Sequence, residues 1–105
     1  MCIKQIKDEV TWNESDRNAI TVYKTNGMRI VLVALHAGAE MKTHTAAGII
    51  SVQIIHGKIK FNAESRSFEL ITGQMLALHK GIQHNVFAIE ETIFLLTLTT
   101  TLEDK

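Results

Sequence analysis

Ile49-Ile50-Ser51-Val52-Gln53-Ile54-Ile55-His56-Gly57-Lys58-Ile59-Lys60-Phe61-Asn62-Ala63 is the stretch that decides the fold class. Its first seven residues are almost continuously apolar and rich in β-branched side chains, as expected of a strand buried on both faces. His56-Gly57 makes a tight turn. The chain then alternates, with Ile59 and Phe61 on one side and Lys58, Lys60 and Asn62 on the other. That period of two is the signature of a strand with one face in the core and one in water.

The same pattern continues outward in both directions. Short runs of strand-forming residues recur at 19–23, 28–35, 41–44, 75–78, 85–89 and 92–101, and Phe68 and Leu70 mark one more. Proline is absent, so glycine, asparagine and charged pairs must mark the turns. Thr25-Asn26-Gly27 reads as a hairpin turn, since asparagine and glycine tolerate positive φ. His36-Ala37-Gly38-Ala39, Glu64-Ser65-Arg66, Thr72-Gly73, Lys80-Gly81 and Glu90-Glu91 punctuate the rest. Helix has weak support in two places. Residues 8–17 are polar, with Trp12 alone among them, and 90–98 are too rich in threonine and isoleucine. The expected fold class is all-β, a single jelly-roll barrel of about nine or ten strands. Val52, Ile54 and Met75 are expected to line it, with Leu76 and Leu78 on the opposite face of their strand from Met75. Which of those two faces is internal stays open.

The 105 residues fit one domain, 1–105, with an N-terminal arm at 1–18. Hydrophobic residues make up 46% and charged residues 21%, a globular balance. Eleven basic and eleven acidic side chains cancel, and aromatics are only 6%. Nucleic acid is not expected as a partner, because a phosphate backbone needs a positive patch and single strands need stacking rings. Residues 1–9 alternate apolar and polar and lack the apolar core of a signal peptide. No apolar run approaches the roughly 20 residues of a membrane span. The expectation is a cytoplasmic protein that does not enter membranes. Cys2 is a lone thiol without a basic neighbour, so it is expected to be inert. The tail Glu103-Asp104-Lys105 is expected to be solvated.

Five histidines are present, at 36, 44, 56, 79 and 84. Imidazole is the commonest protein ligand for transition metals, so these are the candidates for site chemistry. His36 and His56 sit at turns and are expected to be solvated. His79 and His84 are five apart in a loop, so no local geometry forces them together. Trp12 is expected to cover the barrel or a subunit interface.

Gly38, five residues, His44, twelve residues and Gly57 follow the frame of the first cupin motif. Gly73, Gly81 and His84 fall at the required places of the second. The motifs occupy 38–57 and 73–88, about half the chain, and on them the sequence resembles the cupin superfamily. The ligand positions are less complete than the glycines. The second histidine of the first motif falls on Ala46 and its glutamate on Ile50. The second motif's proline falls on His79 and its asparagine on Ala88.

The resemblance implies a jelly-roll barrel with a small-molecule pocket, and a homodimer formed by strand exchange or sheet packing. The arm at 3–12 would supply the exchanged strand. It also implies one divalent transition metal (zinc, nickel, manganese or iron) and no organic cofactor. His44 and His84 carry over as ligands. His79 is the best third candidate, because it replaces an inert residue near His84. Gln53 and Gln83 are weaker oxygen donors. Cupins include dioxygenases, isomerases, decarboxylases, sugar-binding proteins and storage proteins, so the resemblance does not choose a reaction. The pocket expected is small and aliphatic, with histidines at one end.

Overall fold

The β-branched runs form nine strands, described in a computed structural model that covers residues 3–8 and 10–100. In order they are β1 (Arg17–Lys24), β2 (Met28–Leu35), β3 (Glu40–His44), β4 (Ile49–His56), β5 (Lys58–Ala63), β6 (Arg66–Ile71), β7 (Met75–Leu78), β8 (His84–Ala88) and β9 (Thr92–Thr99). They make two antiparallel sheets of order β1-β2-β9-β4-β7 and β3-β8-β5-β6. Apart from the β1–β2 and β5–β6 hairpins, paired strands are distant in sequence, as in a jelly-roll barrel. Expectations for Cys2 and for 103–105 fall outside the described residues.

The core lies between the sheets. Phe61, Ile59, Ile54, Val52, Phe94, Val86, Leu35 and Ala88 form its fully buried centre. β5 is oriented as its alternation predicts, with Ile59, Phe61 and Ala63 inward. β4 corrects the opening expectation, because only Ile50, Val52 and Ile54 are buried while Ile49 and Gln53 are exposed. Nothing among the described residues fully covers that end of the five-stranded sheet's outer face. β7 settles the open question of its faces. Met75 is 64% exposed, whereas Leu76 and Leu78 pack on the core. Met75 therefore does not line the barrel.

The outer face is covered at its other end, and by helix. The arm expected to be a strand instead forms two short helices, α1 (Ile3–Asp8) and α2 (Val10–Glu14). Ile6 and Trp12 bury against Leu32, Ala34 and Ile93 of this same barrel. Helices this short are marginal alone, so this tertiary contact is what holds them. Buried Asn18 donates from Nδ2 to the Ile6 carbonyl at 3.0 Å, and Lys7 pairs with the Glu91 carboxylate. Glu91 is thus tied to the arm.

The four motif glycines, Gly38, Gly57, Gly73 and Gly81, all have positive φ. Gly57 also has no room for a side chain: a Cβ there would meet the Glu91 carbonyl oxygen and Thr92 Oγ1 at 2.5 Å. The buried Thr92 hydroxyl accepts from Lys58 N at 3.0 Å and ties the β4–β5 turn to the start of β9. The Thr25–Gly27 hairpin closes without positive φ, contrary to expectation, through Thr25 N donating to the Met28 carbonyl at 2.8 Å.

Candidate functional site

His44 ends β3 and His84 begins β8, and a bulge makes them face each other. Met41 pairs with Val86, and regular alternation from there would set Thr43 opposite His84. An extra residue between Met41 and His44 shifts the register, so that His44 pairs with His84. Bulges re-aim side chains at barrel rims in this way. Their ring centroids are 4.2 Å apart, with planes tilted by 60°. Thr43 is thereby turned to the outside, where its hydroxyl accepts from Asn85 Nδ2 at 3.3 Å.

The two histidines share one local device. His44 Nδ1 lies 2.7 Å from the Lys42 carbonyl, and His84 Nδ1 lies 2.9 Å from the Ile82 carbonyl. A carbonyl only accepts, so each Nδ1 carries the proton and each Nε2 presents a lone pair. His84 is 4% exposed and stacks on Phe61, with centroids 5.6 Å apart and planes within 7°. No buried side-chain nitrogen or oxygen among the described residues lacks a partner. The unbonded Nε2 of His84 is therefore not fully enclosed. His44 is exposed on the rim. Burial pushes the His84 imidazole below its ordinary value of 6.5, and nearby His44 adds to this. The bond to the Ile82 carbonyl works in the other direction. The neutral form, which ligates metals, is the favoured one.

His79 does not join this pair. It is exposed, and among the described residues no three of His, Cys, Asp and Glu come together in a metal-holding group. Ile50, at the glutamate position, is buried and apolar, and Ala46 offers no donor. Gln53 points outward on β4 beside Met75. His56 is exposed, as expected. His36 is not solvated. It stacks on Trp12 at 3.5 Å between centroids and donates from Nε2 to the Trp12 carbonyl at 2.8 Å. This contact spans 24 residues, so neither side chain announces it locally.

The core beneath the histidines includes Phe61 and Val86, with Ile82 packed against it. A pocket of about 170 Å³ opens beside the rim, lined by Thr43, Asn62, Glu64, Gln83, His84 and Asn85. Gln83, weighed above as an oxygen donor to the metal, belongs to this pocket.

Comparison with solved structures now bears on the fold. A conserved protein of unknown function from Streptococcus pyogenes superposes with TM-score 0.78 at 24% identity, covering 84% of this chain and 78% of that one. A cupin superfamily protein from Desulfitobacterium hafniense gives TM-score 0.80 at 12% identity, covering 84% and 81%. This chain has the cupin fold. KdgF from a Halomonas species also matches this cupin barrel, with TM-score 0.76 at 17% identity over 87% of this chain and 86% of that one. No protein-family model matches the chain, and the comparison with curated proteins finds no match. The four positive-φ glycines are the positions on which the sequence follows the cupin motifs. No described helix is long and apolar enough to cross a membrane.

Proposed function

We propose that this cupin barrel binds a small molecule at the mouth where His44 and His84 meet, and that the pair takes a divalent transition ion as an open, weakly held chelate. The carrying observation is the shared tautomer. Both Nδ1 protons are spent on backbone carbonyls, so the Nε2 lone pairs of two rings whose centroids lie 4.2 Å apart are left for a ligand. Such carbonyl bonds also orient ligating imidazoles.

The donor set fits two-point binding and does not fit a closed shell. Structural and catalytic zinc sites use three or four protein ligands, and two neutral imidazoles supply neither that number nor any charge. An ion held there keeps open positions and its full charge, which favours an anionic or oxygen-rich ligand completing the shell. When bound, such an ion would polarise a ligand oxygen. The protein's own contribution is to orient the two imidazoles, keep His84 neutral and close the floor with Phe61.

Titration calorimetry with zinc chloride and nickel chloride tests this reading. Weak binding that disappears in the His44→Ala/His84→Ala double variant is the expected result. Protein that ignores both ions, or binds them equally well without the histidines, overturns it. Tight stoichiometric binding would instead support a metal-dependent enzyme, the rival reading.

A dimeric barrel is a second reading with its own observation. Tyr23, Met28, Ile49 and Met75 are exposed, and their pairing places them together on the outer face of the five-stranded sheet, beyond the helices. Sedimentation that shows a monomer at every concentration removes it.

A further inference from the structure

The outer face of the four-stranded sheet carries a row of uncharged polar side chains that the barrel mouth does not use. Asn62 donates from Nδ2 to Asn85 Oδ1 at 2.8 Å, and Asn85 passes the chain on to the Thr43 hydroxyl. Asn62 and Asn85 are cross-strand partners on β5 and β8, facing away from the core. The row ends at Glu64 in the β5–β6 turn, which together with Gln83 and His84 completes the pocket.

Glu64 is the unusual member. Its φ of 55° makes it the one non-glycine among the five described positive-φ residues, the other four being glycine. A side chain with a Cβ costs stability in that conformation. Glycine would close the same turn without that cost, yet the strained position carries a carboxylate, and it lines the pocket. No ion-pair partner holds that carboxylate among the described residues.

The unspent hydrogen-bonding capacity suits a ligand that both gives and receives bonds. The Thr43 hydroxyl proton and the second proton of each asparagine amide are donors; Asn62 Oδ1 and the Glu64 carboxylate are acceptors. A cation would use only the acceptors, and hard cations ask for more carboxylate oxygens than one residue supplies. Alternating donors and acceptors suit vicinal hydroxyls, each of which gives and receives a bond. Phe87, two residues along β8 from Asn85, presents an exposed ring on the same face, 39% accessible, against which the C–H face of a sugar ring would lie.

We propose that this outer face is a second binding site, specific for a carbohydrate ring, with Asn62, Asn85, Thr43 and Glu64 as its hydrogen-bonding groups. The site borders the His44–His84 mouth, because His84 also lines its pocket, but its hydrogen-bonding groups do not include His44.

The test is an amide-detected NMR titration of the full chain with D-glucose, D-galactose and D-mannose at millimolar concentrations. Saturable shifts at the Asn62 and Asn85 side-chain amides and at Glu64 are expected with at least one sugar. Glu64→Gly should lose at least tenfold in affinity while its melting temperature rises by a few degrees as strain is relieved. Asn62→Ala should also lose binding, and His44→Ala should keep it. The proposal is overturned if none of the three sugars shifts those amides, or if calcium chloride alone reproduces the shifts. Unchanged affinity in Glu64→Gly, or loss of binding in His44→Ala, overturns it equally.

Discussion

The two ends of the barrel treat histidine in opposite ways. At the end where β2 gives way to β3, His36 is fully employed: its ring lies on Trp12 and its Nε2 proton goes to the Trp12 carbonyl. At the other end, His44 and His84 spend only Nδ1 and leave Nε2 open. The first arrangement closes a structure, because helices, buried Asn18 and buried Thr92 all find partners within the chain. The second leaves bonding capacity unsatisfied at the surface. Among these three histidines, the two proposed for function are those whose Nε2 the fold does not consume.

This contrast can be broken at several points, beginning with the largest expected effect. Gly57→Ala should be the most damaging change at the closed end, since the new Cβ meets backbone as well as the Thr92 hydroxyl. Chemical denaturation should show a loss of about 3 kcal/mol or more, or no folded protein. Phe61→Ala removes the floor beneath the open end. It should cost about 3–5 kcal/mol by the same measurement and also free the His84 ring. Trp12→Ala should cost less, about 1–3 kcal/mol, because it empties a satellite cluster rather than the centre. Helical circular dichroism should fall with it, since the short helices lose their anchor.

The open end has a pH signature. His84 is held neutral in the fold, so the unfolded chain takes up the proton more readily. Stability from this group is complete above the unfolded value near 6.5. It is lost as pH falls through 6.5 toward the lowered folded value. Melting temperature of metal-free protein, followed from about pH 8 to pH 5, should decline, and His84→Gln should flatten that part of the slope. His44→Ala should be the mildest change, within about 0.5 kcal/mol of wild type, because the ring is exposed. It should nonetheless abolish any thermal shift produced by zinc. Stability and metal response would then separate cleanly at one residue.

Local features of the chain were legible in the sequence. β2, β5 and β7 begin and end where apolar runs and turn residues predict, because strand propensity and turn conformation are properties of neighbouring residues. The four glycines are legible for the same reason: each occupies a backbone region that other residues resist. What was not legible depends on contacts distant in sequence. The helices at 3–8 and 10–14 exist because Ile6 and Trp12 find Leu32, Ala34 and Ile93. The stacking of His36 needs Trp12 in place first. The choice between Met75 and Leu76 as the inward residue turns on which face of β4 its strand pairs beside. In the site, the pairing of His44 with His84 was visible only through resemblance, and the separation of His79 not at all.

The bulge in β3 carries a consequence for how this barrel could change over generations. One surplus residue, not the identity of the histidine, turns His44 toward His84 and Thr43 toward Asn85. If the bulge were lost at constant chain length, Thr43 rather than His44 would stand opposite His84, whereas deleting the surplus residue would keep His44 there and shorten the Gly38–Gly57 spacing by one. The histidine pair therefore depends on the backbone path of β3 as well as on residue type, and a lineage could lose it through a change of register that leaves every side chain in place.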